Sequence, residues 1–435
     1  MDPRIREDDI WIDIRCQVPI MNEKIHVSTL MNESAQTTLC PNCEIGAMSV
    51  FYEASAHETN AVPTNSCILL NTKEEAIEYP KGNISLGHCD CCGFISNTSF
   101  DEKLTEYSGR YEETQGFSET FNQFHKQLAE RLIEKHQLRD KKIIEIGCGK
   151  GEFLVLLCEL GQNTGIGFDP GFSEERVDPS TKNKITFIKD FYSEKYTDHH
   201  GDFLCCKMTL EHIHQTADFI KTVRRSIADR INTTVFFQIP NAERIIESCA
   251  FEDIYYEHCS YFTKASLTKL FTHCQFDVLD VTTEYDDQYL TIEAKPTPEN
   301  TGSNLCTSFN YDEDLANLQT LVSNFPKALE SKVSYWRDIL STHKAEGKKL
   351  VLWGSGSKAV SFLTTLEVDD ELELVVDINP YKHGYFMAGT GHKIVAPEAL
   401  IDYKPATVIV MNAIYEQEVS KSLAYMGLYP EILSL

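Results

Sequence analysis

The chain has 435 residues, 42% of them hydrophobic, with 40 basic against 66 acidic residues and a formal net charge of −26. That length predicts two or three domains with ordinary cores, and so acidic a chain repels phosphate backbones, which argues against nucleic-acid binding. No run reaches the roughly 18 uninterrupted apolar residues of a membrane span, and Met1-Asp-Pro-Arg-Ile-Arg lacks the apolar stretch of a secretory signal. The expectation is a cytoplasmic protein with a small-molecule substrate and no membrane partner.

Residues 1–39 show no periodicity and read as an extension without chemistry. Residues 40–105 read as a zinc-binding domain. Cys40-Pro-Asn-Cys43 and Cys89-Asp-Cys-Cys92 are two C-x-x-C knuckles, each turning both sulfurs toward one point, as a tetrahedral zinc ion requires. The loop between them is longer than the common ribbon spacing, and His88 and Cys91 are near enough to compete as ligands. Four cysteines leave no open coordination position, so the metal expected at Cys40, Cys43, Cys89 and Cys92 is structural. Most of the remaining cysteines sit among apolar residues and read as small buried hydrophobes.

Residues 106–296 form the next unit. Ser118 reads as a helix cap, and Phe121, Phe124, Leu128, Leu132 and Ile133 repeat at helical spacing. The stretch Lys141–Cys158 follows. Its β-branched run Ile143–Ile146 breaks into Gly147-Cys-Gly149-Lys-Gly151, and an apolar helix starts at Phe153. Glycine lets a ligand approach the backbone, and a helix N-terminus offers unpaired N–H groups to an anion. The strand Thr164–Phe168 then ends at Asp169, where doubly wound folds bind a ribose. A dinucleotide fingerprint wants G-x-G-x-x-G. Here Glu145 opens an E-x-G-x-G-x-G pattern, which resembles motif I of class I S-adenosylmethionine (SAM) methyltransferases and favours SAM over NAD.

Strand and helix patterns alternate beyond Asp169: strands at 185–188, 202–208 and 234–239, with Leu210-Glu211-His212-Ile213 after the second of these. An apparent hairpin at 276–293 closes the unit. Such alternation predicts a parallel sheet covered on both faces, and a terminal antiparallel hairpin is typical of class I methyltransferases. After a Pro/Gly linker, residues 297–435 carry a long helix from about Leu315 to Lys344. A second strand-turn-helix follows, Trp353-Gly-Ser-Gly-Ser-Lys358, with a strand ending at Asp377. Taken alone, that unit also reads as an NAD site.

From Cys40 onward this order of parts is similar to the SAM-dependent sugar C-methyltransferase family. The resemblance implies an α/β architecture: a small zinc-binding domain, a class I methyltransferase core of Rossmann-like fold and a second Rossmann-like domain that holds substrate. It implies methyl transfer from SAM to a carbon alpha to a ketone in a nucleotide-linked (dTDP-type) keto-deoxysugar. The most specific piece is Phe251–Phe262, similar to the family's Tyr-x-Glu-His segment. It implies His258 as general base, Glu257 as its tuning partner, and Tyr255 or Tyr256 as a donor to the enolate, with His212 as second candidate base. Cofactor contacts implied are Glu145, Gly147, Gly149, Gly151 and Asp169, with Asp190 and Phe191 over the adenine and Tyr111 and Ser118 nearby. Lys358, Asp377 and Lys382 fall on the substrate side. Rival readings are an O- or N-methyltransferase of another small molecule and a non-catalytic zinc-stabilised binding protein.

Overall fold

A computed structural model describes residues 39–54, 61–176, 184–298 and 310–435; the extension expected over 1–39 lies almost wholly outside them. The first region carries β1 (Met48–Glu53), β2 (Val62–Pro63), β3 (Lys81–Gly82), β4 (Ser85–Cys89), β5 (Ile95–Asn97) and the short helix α1 (Lys73–Ile77). The second begins with α2 (Glu119–His136), β6 (Lys142–Ile146), α3 (Glu152–Gly161), β7 (Thr164–Phe168) and β8 (Ile185–Ile188). It continues through β9 (Phe203–Lys207), α4 (Thr216–Ile227), β10 (Thr234–Pro240), α5 (Ala242–Glu247), β11 (Ser260–Tyr261), α6 (Lys264–His273), β12 (Phe276–Glu284) and β13 (Tyr289–Pro296).

β6 to β10, with β12 and β13, make a seven-stranded sheet in the order β12-β13-β10-β9-β6-β7-β8. β13 pairs antiparallel on both sides, and the other neighbouring pairs are parallel. Central strands of such a sheet are covered twice, which is why β9 is buried at every position and β6 at every position but its first. The sheet brings the C-terminal ends of β6, β7 and β9 side by side, where ligands bind in folds of this kind.

The second sheet is antiparallel, in the order β1-β4-β5-β11. Three strands belong to the cysteine-rich region, but the edge strand β11 comes from the far side of the methyltransferase-like core. Ser260 pairs with Ser96 and Tyr261 with Ile95. The expected division near residue 105 is therefore crossed by a shared sheet.

The C-terminal region opens with α7 (Tyr311–Ala345), 35 residues long, or about 52 Å. Its N-terminal half packs Leu318, Val322 and Phe325 on Ile84, Leu86 and Ile95, and its C-terminal half packs Trp336 and Leu340 on the last domain's core. That domain contains β14 (Leu350–Trp353), α8 (Ser357–Thr365), β15 (Leu374–Val376), β16 (Lys393–Val395), α9 (Leu400–Tyr403), β17 (Thr407–Val410), α10 (Glu416–Tyr425) and β18 (Glu431–Ser434). Its strands form a parallel sheet in the order β16-β15-β14-β17-β18. No helix among the described residues is long and apolar enough to cross a membrane.

Phe325 is the pin of the long helix, with its ring edge-on to Phe51 at 5.9 Å and Tyr52 at 5.7 Å. Truncation to Ala should cost about 3–5 kcal/mol of stability, read as a lowered denaturant midpoint with an unchanged slope. An unaltered midpoint would show that α7 is not held there.

Candidate active site at the domain junction

A cavity of about 820 Å³ lies where the methyltransferase-like core faces the last domain. Its first wall is the turn after β6. The N–H groups of Gly147 and Cys148 donate to the Phe168 carbonyl at 2.8 and 3.1 Å, closing the turn on β7. Gly147 has a φ of +68°, and a Cβ there would lie 1.9 Å from Thr209 Oγ1, so no other residue fits. Gly149, at φ +53°, turns its N–H toward Asp169 Oδ2 at 2.9 Å, while Gly171 N–H reaches Oδ1 at 2.7 Å. Burial pushes the Asp169 carboxyl up, against those two donors. The same carboxylate keeps lone pairs for a ribose diol.

Glu145, Gly147, Gly149, Asp169, Asp190, Phe191, Tyr111 and Ser118 all line this cavity. Phe191 is 59% exposed and stands edge-on to Tyr107 at 6.2 Å. Asp190 accepts from Tyr196 Oη at 2.7 Å and pairs with Lys195. Ser118 caps α2 by accepting from Phe121 N–H, and its hydroxyl donates to Glu418 of α10 at 2.8 Å. Gly151 is different: a Cβ there would meet the Phe187 ring at 2.6 Å, and the residue is absent from the cavity wall. Its place in the motif reflects helix–strand packing, a correction to its expected cofactor contact.

The opposite wall holds the Tyr-x-Glu-His segment. His258 is buried, with Nε2 at 3.0 Å from Tyr255 Oη and its ring edge-on to His212 at 4.7 Å. Burial, then the neighbouring His212 and Lys358, hold His258 well below the usual histidine range, so it is a neutral imidazole. His212 Nδ1 lies 3.0 Å from the Glu257 carbonyl, which can only accept, so Nδ1 carries the proton and Nε2 a free lone pair. Burial lowers its pKa to about 4.

Two expected members of this set face elsewhere. The Glu257 carboxylate accepts from Ser66 N–H at 3.0 Å, from Ser66 Oγ and from Tyr111 Oη at 3.1 Å. It therefore does not tune His258, and burial raises its pKa to about 7. Tyr256 is 1% exposed, packs on Phe100 at 5.3 Å and exchanges hydrogen bonds with the Asp101 backbone. It is a packing residue, and Tyr255 alone of the two reaches the cavity.

Lys358, Asp377 and Lys382 line the side formed by the last domain. Lys358 pairs with Asp253, bridging the two domains. Asp377 accepts from Ser355 N–H at 2.8 Å, Ser355 Oγ at 2.5 Å and Asn379 N–H at 2.8 Å, with Lys382 Nζ at 3.7 Å. The chain's own groups thus already occupy the acid that an NAD ribose would need.

Outside the cavity, the sulfurs of Cys40, Cys43, Cys89 and Cys92 lie within 4.8 Å of one another, and all four residues are buried. Cys40–Cys92 and Cys43–Cys89 separations are 3.7 and 3.8 Å; sulfurs around a tetrahedral zinc at 2.3 Å would be about 3.8 Å apart. Cys91 and His88 stay outside this cluster, and His88 pairs with Asp90 instead. Glu211, His212 and His258 also converge within 4.8 Å. Sequence reasoning missed Glu211, Lys207 and His125, all of which line the cavity; for Lys207 a charged residue at the end of a buried strand was the available signal.

Residues 118–281 match the family model of a methyltransferase domain, and residues 291–428 match that of the C-methyltransferase C-terminal domain. No curated protein matches the chain. Among solved structures, 1,6-didemethyltoxoflavin-N1-methyltransferase of Burkholderia thailandensis is 14% identical, covering 40% of this chain and 78% of that one at a TM-score of 0.30. Magnesium protoporphyrin IX methyltransferase of Synechocystis PCC 6803, bound to S-adenosylhomocysteine, is 13% identical, covering 41% and 84% at a TM-score of 0.32. With its two matched domains and a sheet of the class I order, the chain has the class I SAM methyltransferase fold and carries a methyltransferase domain followed by the C-terminal domain of C-methyltransferases.

Proposed function

We propose that this chain transfers a methyl group to a carbon alpha to a ketone in a nucleotide-linked, dTDP-type keto-deoxysugar, with His258 as the general base. The observation that carries this is one cavity shared by Gly147, Gly149 and Asp169 on one wall, His258 and Tyr255 on another, and Lys358 and Lys382 on a third. SAM supplies the electrophilic methyl group; the chain aligns the acceptor carbon with it and excludes water.

A carbon acceptor must first lose a proton. The His258 imidazole is neutral and hydrogen-bonded, so it can take that proton, and the Tyr255 hydroxyl beside it can donate to the enolate oxygen. His212, with its lone pair at Nε2, is the second candidate. The negative charge of a bound diphosphate would raise the low basicity of His258 toward the value a base needs. Lys358 and Lys382 on the cavity wall formed by the last domain, with the N-terminus of α8, suit such a diphosphate. A hydroxyl acceptor would draw on the same base, so the atom that carries the new methyl group separates the two readings.

The four-cysteine cluster is proposed to hold one structural zinc ion. Its role would reach the active site through β5, which begins three residues after Cys92 and pairs with β11, two residues after His258.

Four outcomes are expected. Incubation with methyl-labelled SAM and a panel of dTDP-4-keto-hexoses should leave label on carbon, and label found only on oxygen or nitrogen would sink the proposal. His258→Asn should lower kcat by about 10²–10⁴-fold and abolish solvent deuterium uptake at the acceptor carbon, with S-adenosylhomocysteine binding unchanged. The low-pH limb of kcat/KM reports the free enzyme's base, which must be unprotonated. With the His258 pKa depressed, that limb should fall below pH 6.5, and a limb above 6.5 would exclude His258. Metal analysis should find one zinc per chain, lost in Cys92→Ser; an equal content in that variant would remove the zinc assignment.

A further inference from the structure

A single turn of 3-10 helix, Leu210–His212, follows β9 and faces the Tyr-x-Glu-His segment. Three hydrogen bonds staple the two together: His212 Nδ1 to the Glu257 carbonyl at 3.0 Å, Cys259 Sγ to the Glu211 carbonyl at 3.6 Å, and Ser260 Oγ to the Ile213 carbonyl at 2.7 Å. Glu211, His212 and His258 all line the cavity, and one donor atom from each lies within 4.8 Å of the other two.

Each of the three has an electron pair that the protein leaves unused. Glu211 is 1% exposed, and neither of its carboxylate oxygens is hydrogen-bonded to another residue, a costly state for a buried polar group. His212 makes both of its contacts through Nδ1, to the Glu257 carbonyl and to Tyr107 Oη at 3.1 Å, so the Nε2 lone pair stays free. A neutral imidazole such as His258 has one lone pair in the ring plane. Lys358, the cation that bears on His258, is paired with Asp253. Two imidazoles and a carboxylate are a donor set for divalent d-block ions, whereas Mg²⁺ and Ca²⁺ take oxygen ligands. An ion about 2.1 Å from each atom needs the three about 3.4 Å apart, a closure that Glu211, unanchored by hydrogen bonds, can supply by side-chain rotation.

We propose that Glu211, His212 and His258 form a second cation site, separate from the four-cysteine cluster, which takes a divalent d-block ion such as Zn²⁺ and thereby blocks the general base. The single lone pair of His258 serves either the acceptor's proton or the ion, so the two compete. Binding stands on the donor set alone; the inhibition rests on the reading of His258 as the base. Three mixed donors hold zinc less firmly than four thiolates, so this site fills from added ion after the cysteine cluster is loaded.

The test is calorimetry on the full chain already carrying one zinc, with Zn²⁺ and Mg²⁺ as probes. One further Zn²⁺ should bind per chain, and Mg²⁺ should give no binding heat at the same concentration. Glu211→Gln keeps the side-chain shape and should weaken the second zinc by more than about 10-fold; His212→Asn should do the same if the first variant is too unstable to measure. Co²⁺ in this site should show d–d absorption without thiolate-to-metal charge transfer, because no cysteine takes part. No second zinc, or a second zinc held equally well by the variants, would overturn the site. With a keto-sugar acceptor, the Zn²⁺ concentration that halves kcat/KM should match the second-site Kd and rise by the same factor in Glu211→Gln. A second zinc that leaves turnover untouched would overturn the competition. Wild-type protein with no turnover on any keto-sugar would instead sink the methyl-transfer reading, and the calorimetry would still decide the cation site.

Discussion

The position of His258 depends on how the segment from Phe251 to Phe262 is clamped. At its start, Ser361 Oγ of α8 donates to the carbonyls of Phe251 and Ile254 at 2.9 and 2.8 Å, and Lys358 pairs with Asp253. At its end, Asn97 N–H donates to the Cys259 carbonyl at 2.9 Å, Ser260 Oγ donates to the Ile213 carbonyl at 2.7 Å, and β11 completes the cysteine-rich sheet. Three regions thus hold one short irregular stretch. An irregular backbone needs such external partners, because it makes few hydrogen bonds of its own, and imidazole chemistry needs the ring fixed to within a fraction of an ångström.

The electrostatics follow from the same enclosure. The cavity gathers Glu145, Glu211, His212, His258 and Lys207, and the buried Glu257 lies behind its wall. Burial moves the carboxyls up and the imidazoles and ammonium down: Glu211 rises to about 8 and Lys207 falls to about 8. Every shift favours the neutral form. The site thus lowers its own charge.

Much of this was legible in the sequence for local reasons. Gly147 and Gly149 announce themselves because positive φ and close approach admit little else. The buried strands read as apolar runs, and Ser118 marked its helix by its capping chemistry. The four cysteines converge as their spacing implied. Contacts set by distant chain were not legible. Tyr255 and Tyr256 are adjacent and chemically identical, and only the packing of Phe100 decides which one reaches the cavity. Glu257 turned out to belong to Ser66 and Tyr111, residues far away in sequence. Likewise, nothing local reveals that Ser260 and Tyr261 pair with β5.

That last pairing has a consequence for biosynthesis. As the polypeptide leaves the ribosome, β5 emerges long before its neighbour β11, so the cysteine-rich sheet first presents Ile95–Asn97 as an unpaired edge. Such an edge is a template for association with other nascent chains. It stays open until most of the central sheet has been made, which ties solubility during translation to the pace at which the following 160 or so residues collapse.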